Sequence, residues 1–185
     1  MTQDVTRRRT KTSFWRRVFR AALLDADVYE EVEADRRALR QAAVVVALSA
    51  LGFGVGSFEN GGWSGILWTA VVMHLGWAAW ALGAFWLGAG VLATPHTESD
   101  PGELLRTLGF ASAPGILAAL GCIPGLNPWL FAIVLLWMLA TMVVAVRQAL
   151  DYCSTGRAIL VSVLTLPAAL LPLAVVLLFT GPWPI

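Results

Sequence analysis

Of 185 residues, 58% are hydrophobic and 14% charged, with a mean hydropathy of +0.71. Globular proteins carry about 25% charged residues, and a soluble core of this length cannot hide so many apolar side chains, so an ordinary soluble domain is excluded. The formal net charge of +1 conceals an asymmetry: ten of the thirteen Lys/Arg lie before residue 41. Two cysteines, Cys122 and Cys153, are too few for a disulfide framework or a metal cluster, so no cofactor and no metal is expected.

Residues 1–12 hold Arg7, Arg8, Arg9 and Lys11 among small polar residues and read as a disordered basic tail. From Ser13 the pattern becomes amphipathic. Phe14, Trp15, Val18, Phe19, Ala22 and Leu23 recur at helical spacing, with Arg16, Arg17 and Arg20 on the flanks. Such a helix can lie in the membrane interface, its arginines on anionic headgroups, or pack against the ends of a bundle; the two are compatible. Asp27 with Glu30 has the form of a capping box for a second short helix, whose acids come first and bases last, and this helix is expected in solvent. Residues 1–40 thus form a basic arm, and 41–185 a membrane domain.

Five apolar stretches follow. The first, 42–58, ends in a G-x-x-x-G at Gly52 and Gly56, which permits close helix approach and suits packing within the chain. The second, 63–93, is longer than a bilayer requires and rich in tryptophan. The polar loop TPHTESDPGELLR leads into the third, 107–122, through Asp100-Pro101-Gly102-Glu103, a helix start with an N-cap, a proline at the first position and an acid at the third. Pro114-Gly115 breaks this span and Pro124 stops it. The fourth, 126–146, is 21 residues without a charge, enough to cross ~30 Å of hydrocarbon at ~1.5 Å per residue. The fifth, 158–180, contains Pro167 and Pro172. The first apolar run begins near Ala42, so no cleavable signal peptide is expected, and neither terminus carries a lipidation motif. With five spans, every Lys and Arg falls on one side of the membrane. The positive-inside rule makes that side cytoplasmic, with the N-terminus inside and the C-terminus outside.

Four segments carry a resemblance. They are FRAALLDADVYEEVEAD before the first span, DPGELLRTLGFASAPGIL into the third, the CIPGL turn, and RQALDYCSTGRAILVSVL into the last. In these, over about residues 14–179, the chain resembles the Yip family, the Ypt/Rab-interacting multi-pass membrane proteins, and specifically its bacterial branch. Gly109-Phe110 stands where the family carries a Gly-Tyr pair, and no close match to the D-x-Y-G-P motif of its eukaryotic branch is present. The resemblance implies an all-α membrane bundle that organises membrane or recruits another membrane or cytoplasmic protein.

Three groups of residues are candidates for chemistry. Gly62-Trp63-Ser64-Gly65 has the form of an intramembrane serine-protease motif. Ser64 and His74, however, are ten residues and ~15 Å apart on one helix, out of hydrogen-bond reach of each other, so the match is coincidental and no enzyme is expected. His74 is itself the one titratable group near mid-bilayer and a candidate intramembrane polar site; no Asp or Glu inside a span offers it a relay partner. Glu103, Arg106, Arg147, Asp151 and Arg157 gather at the cytoplasmic ends of the spans as a candidate polar patch for a headgroup or a partner loop, or as stop-transfer charges. Arg147 and Asp151 would share a face if the fourth helix continued that far. The main expectation is a non-enzymatic integral protein of the bacterial cytoplasmic membrane, touching anionic lipid through Arg16, Arg17 and Arg20. The alternative is a small transporter, channel or lipid-handling protein with a cavity among proline-kinked helices. Nucleic acid is not an expected partner, and an oligomer is left open.

Overall fold

The computed structural model describes residues 12–95 and 97–180, without side chains at 127, 128, 179 and 180. The arginine-rich tail and the final GPWPI segment lie outside the described residues. All regular structure among the described residues is helical. Two short helices, α1 (Phe14–Ala22) and α2 (Ala26–Ala34), precede α3 (Ala38–Gly56) and α4 (Phe58–Phe85), the latter continued by a π-helical stretch, Trp86–Val91. Then come α5 (Pro101–Ala111), continued by a 3₁₀ helix, Ala113–Cys122, and the long α6 (Asn127–Ala149) and α7 (Thr155–Thr180). Five of these segments are long and apolar enough to cross a membrane, in the places expected. Several start earlier than their apolar runs: α5 begins at Pro101 and α7 at Thr155, because a polar first turn is still helix.

The start of α5 is the one read from the sequence. The Asp100 carboxylate accepts from the backbone N–H of Gly102 and Glu103, and the Glu103 carboxylate accepts from the N–H of Asp100 at 2.8 Å. Beyond Ser112 the helix tightens to 3₁₀ and stays so for ten residues, where runs beyond about four are uncommon. Its period of three explains the choice: Gly115, Ala118 and Gly121 fall on one line, and all are buried. That line of small residues meets Gly52 and Gly56 of α3, backbone against backbone. A Cβ on Gly52 would stand 2.6 Å from the carbonyl oxygen of Gly115, and one on Gly56 would fall on that of Ala118. The G-x-x-x-G therefore serves internal packing. A 3₁₀ rise of ~2.0 Å per residue also stretches ten residues over ~20 Å, which lets a short segment span.

On the other side of the bundle, α4 and α7 close at Gly76, where a Cβ would lie 2.6 Å from Ala169's carbonyl oxygen. One turn on, the Trp80 indole N–H donates to Thr165 Oγ1 at 2.9 Å, so a buried polar atom on each helix is satisfied by the other.

Two expectations about α2 fail. Its cap is Asp25, which accepts from the Asp27 N–H at 3.1 Å, not Asp27 itself. Nor does the helix stand in solvent: Val28, Tyr29 and Val32 are fully buried against the bundle. Its i, i+1, i+4 apolar stripe outweighs its acids, because burying three such side chains contributes about 1.5–3 kcal/mol apiece. The buried Tyr29 hydroxyl donates to the carbonyl of Ala21 at 2.9 Å, tying the end of α1 to α2.

Candidate functional site

The Arg106 side chain, 5% exposed, organises the end of the bundle that carries Arg106, Arg147 and Arg157. From the second turn of α5 its Nε donates to the carbonyls of Val32 (3.2 Å) and Glu33 (3.0 Å), and its Nη2 also donates to Glu33. These carbonyls belong to the last turn of α2, whose own sequence places no base there. A cation at that end satisfies orphan acceptors and the negative pole of the helix dipole. Arg106 is therefore a clamp that fixes α2 to α5. Gln148 of α6 adds a second tie, donating to Glu30 Oε1 at 3.0 Å.

Between these elements lies a cavity of about 450 Å³, walled by Glu30 and Glu33 of α2, Glu103 of α5, Arg147 and Gln148 of α6, and Asp151 of the turn that follows. Helix α6 ends at Ala149, and Asp151 takes a left-handed conformation with φ of 50°. The Arg147–Asp151 pair expected on one helix face does not form; Arg147 Nε donates instead to the carbonyl of Tyr152 at 3.3 Å. Burial pushes the half-buried Glu33 carboxyl up to about 7, helped by Glu103, Asp151 and Glu30 and opposed by Arg106. Tyr152 secures the floor, its hydroxyl donating to the carbonyls of Gly88 and Leu92 at the end of α4's π-helical stretch.

Of the five residues expected to form a polar patch, Glu103, Arg147 and Asp151 thus share one cavity. Arg106 lies buried, holding α2, and Arg157 stands apart, over the Tyr152 ring at 5.7 Å and near Leu92's carbonyl. Glu30, Glu33 and Gln148 were not anticipated. The apolar stripe of α2 was the signal that would have brought its acids onto the bundle.

In the arm, Arg16 is exposed. Arg17 is 6% exposed, pairing with Glu31 at 2.9 Å and Asp35 at 3.0 Å and donating to Gln41 at 3.0 Å. Arg20 pairs with Asp25 at 2.7 Å, which raises the guanidinium and lowers the carboxyl from their ordinary values. On the opposite side of α1, Trp15, Phe19 and Leu23 are exposed in an i, i+4, i+8 stripe. His74 Nδ1–H donates to the carbonyl of Ala70 one turn back, at 2.8 Å, and its ring stands edge-on to Trp77; Ser64 Oγ donates to Gly61 at 3.1 Å. Neither touches the other.

A second, larger cavity of about 580 Å³ lies inside the bundle between α3, α4, α6 and α7, and His74 does not line it. No curated protein and no solved structure matches the chain. The family model described as the Yip1 domain matches residues 22–177, taking in α2, all five apolar segments and both cavities, and the chain belongs to that family.

Proposed function

We propose that this chain is a non-enzymatic membrane protein of the bacterial Yip branch that recruits a partner to the cytoplasmic membrane surface. The recruiting surface is the cavity between α2, α5, α6 and the turn after α6. One observation carries the reading: the wall holds four carboxylates and one arginine, and among the described residues Arg147 has only a backbone carbonyl as partner. A wall of that kind favours a basic segment with one acidic residue, since charge complementarity across an interface sets specificity and encounter rate. The arginine-bearing end is taken as cytoplasmic by the positive-inside rule. Trp15, Phe19 and Leu23 then face lipid, and Arg16, the arginine of α1 with no ion-pair partner among the described residues, is placed for an anionic headgroup. The transport reading asked for a polar route through His74. The large cavity is apolar and excludes that residue, so it is better suited to an apolar chain.

Native mass spectrometry of the protein extracted gently from its own membrane tests the recruitment. A stoichiometric protein companion is expected, lost when Glu30→Lys and Arg147→Glu are combined. A companion that survives both changes, or none at all, overturns the proposal.

A further inference from the structure

The large cavity is walled mainly by apolar side chains, with Ser57, Asn60, Thr69 and Ser112 as its polar ones. Trp77, Trp80, Phe131, Met73, Met138 and Met142 all line it, and among the described residues no charged side chain does. Its volume is in the range of ligand pockets, ~300–1,000 Å³. Most of this wall offers no partner to ordered water, which needs two to four polar groups. The methionines make a wall that adapts to irregular apolar shapes.

Its form is a shaft. Along α4 the lining runs from Gly65 to Trp80, a rise of ~22 Å at ~1.5 Å per residue, parallel to the lipid tails of a ~30 Å hydrocarbon layer. It is also open at the side. Trp68, Leu135, Leu170 and Leu173 line the cavity and are at the same time 40–55% exposed. At the end away from the arginines, Ser57 and Asn60 provide the polar rim.

Gly65 adds an independent observation. A Cβ there would meet nothing within 4 Å, whereas one at Gly52, Gly56 or Gly76 would collide with a neighbouring backbone. Glycine within a helix costs about 1 kcal/mol relative to alanine, and at Gly65 no close packing offsets that. What the missing side chain leaves is room in the wall.

We infer that the cavity seats one acyl chain of a membrane lipid, which enters sideways from the bilayer past Leu135 and Leu170. The chain and not the headgroup is recognised, because the rim offers a hydroxyl and an amide but no charge. This inference does not depend on the recruitment proposal, which concerns the other cavity.

The test uses the full chain in phosphatidylcholine vesicles doped with a phosphatidylcholine bearing a diazirine at the end of one acyl chain. After irradiation, adducts are expected on Met138 and Met142 inside the cavity as well as on the outward-facing Ile133 and Leu136. Gly65→Phe, which puts a ring into the open space, should cut the inner adducts roughly tenfold, the equivalent of ~1.4 kcal/mol, and leave the outer ones unchanged. Adducts confined to Ile133 and Leu136 in the unaltered protein overturn the inference, whether or not the variant folds. Equal inner labelling of the variant and the unaltered protein overturns it too.

Discussion

Arg16 and Arg17 are neighbours with opposite fates. Arg17 reaches two carboxylates and an amide and is 6% exposed, whereas Arg16 is exposed. Removing one partner of a buried pair costs 3–5 kcal/mol. Glu31 and Asp35 keep 22% and 34% of their side chains exposed, so the cost of Arg17→Ala falls to about 2 kcal/mol, with Arg16→Ala inside about ±0.5 kcal/mol. Because Arg17 ties α1 to α2 and, through Gln41, to the first turn of α3, the loss should be local. Hydrogen exchange is expected to quicken in α1 and at the α2–α3 junction and leave α4 to α7 unchanged. Glu33 yields a prediction of a different kind. Its carboxyl is raised from 4.5 to about 7 by burial first and by its acidic neighbours second, so the folded chain binds its proton more tightly than the unfolded one. The stabilisation is therefore complete below about pH 4.5 and lost as pH rises through about 7. Glu33→Gln should match the unaltered protein at about pH 4 and exceed it at about pH 8 by about 1 kcal/mol, after allowance for the exposed part of the side chain. Thermal unfolding in detergent across that range reads the difference; parallel curves for the two proteins would refute it.

The elements themselves were legible wherever a local rule determines them. The capping box at Asp100 and Glu103 needs only four consecutive residues, and each span announces itself by length and apolarity. The choice between Arg16 and Arg17 was not legible, because it depends on how α1 rotates onto acids brought near by the turn at Leu23–Asp25. The burial of α2, and with it the acidic wall of the smaller cavity, was missed because six acids in and around the helix suggested solvent. The 3₁₀ segment had a signal that went unread: Gly115, Ala118 and Gly121 at intervals of three. Glycines in this chain divide into those that let backbones touch and those that leave space, and the two kinds should respond oppositely to a methyl group. Gly56→Ala sets a Cβ against the carbonyl oxygen of Ala118 and within 3.0 Å of the Phe131 ring. Backbone cannot step aside cheaply, so the cost should reach the upper end of the 1–3 kcal/mol typical of overpacking, about 3 kcal/mol. Gly61→Ala meets nothing within 4 Å in the helical turn before Gly62 and should be neutral or stabilising by up to about 1 kcal/mol. Unfolding midpoints of the two variants, measured side by side, decide the matter; equal effects would mean that the α3 contact with the 3₁₀ helix is looser than its geometry.

At the scale of the whole molecule, the single span between them, α6, puts the two cysteines at opposite ends of the bundle. Cys122 closes the 3₁₀ helix, and Cys153 sits in the turn between α6 and α7, against the smaller cavity. Both are exposed free thiols. They can therefore report orientation without any engineered label, and orientation is the premise on which a cytoplasmic recruiting surface depends. Every arginine after residue 41 lies at the Cys153 end. Lys and Arg near span ends are retained on the cytoplasmic side with far greater consistency than acids are, and the end bearing Cys122, Asn60 and Trp63 has neither lysine nor arginine. In intact cells a membrane-impermeant maleimide should label Cys122 and spare Cys153, and permeabilisation should add Cys153. Cys122→Ser should abolish labelling of intact cells, while Cys153→Ser should leave it unchanged. If Cys153 alone reacts in intact cells, the acidic cavity faces outward, and a cytoplasmic partner has no access to it.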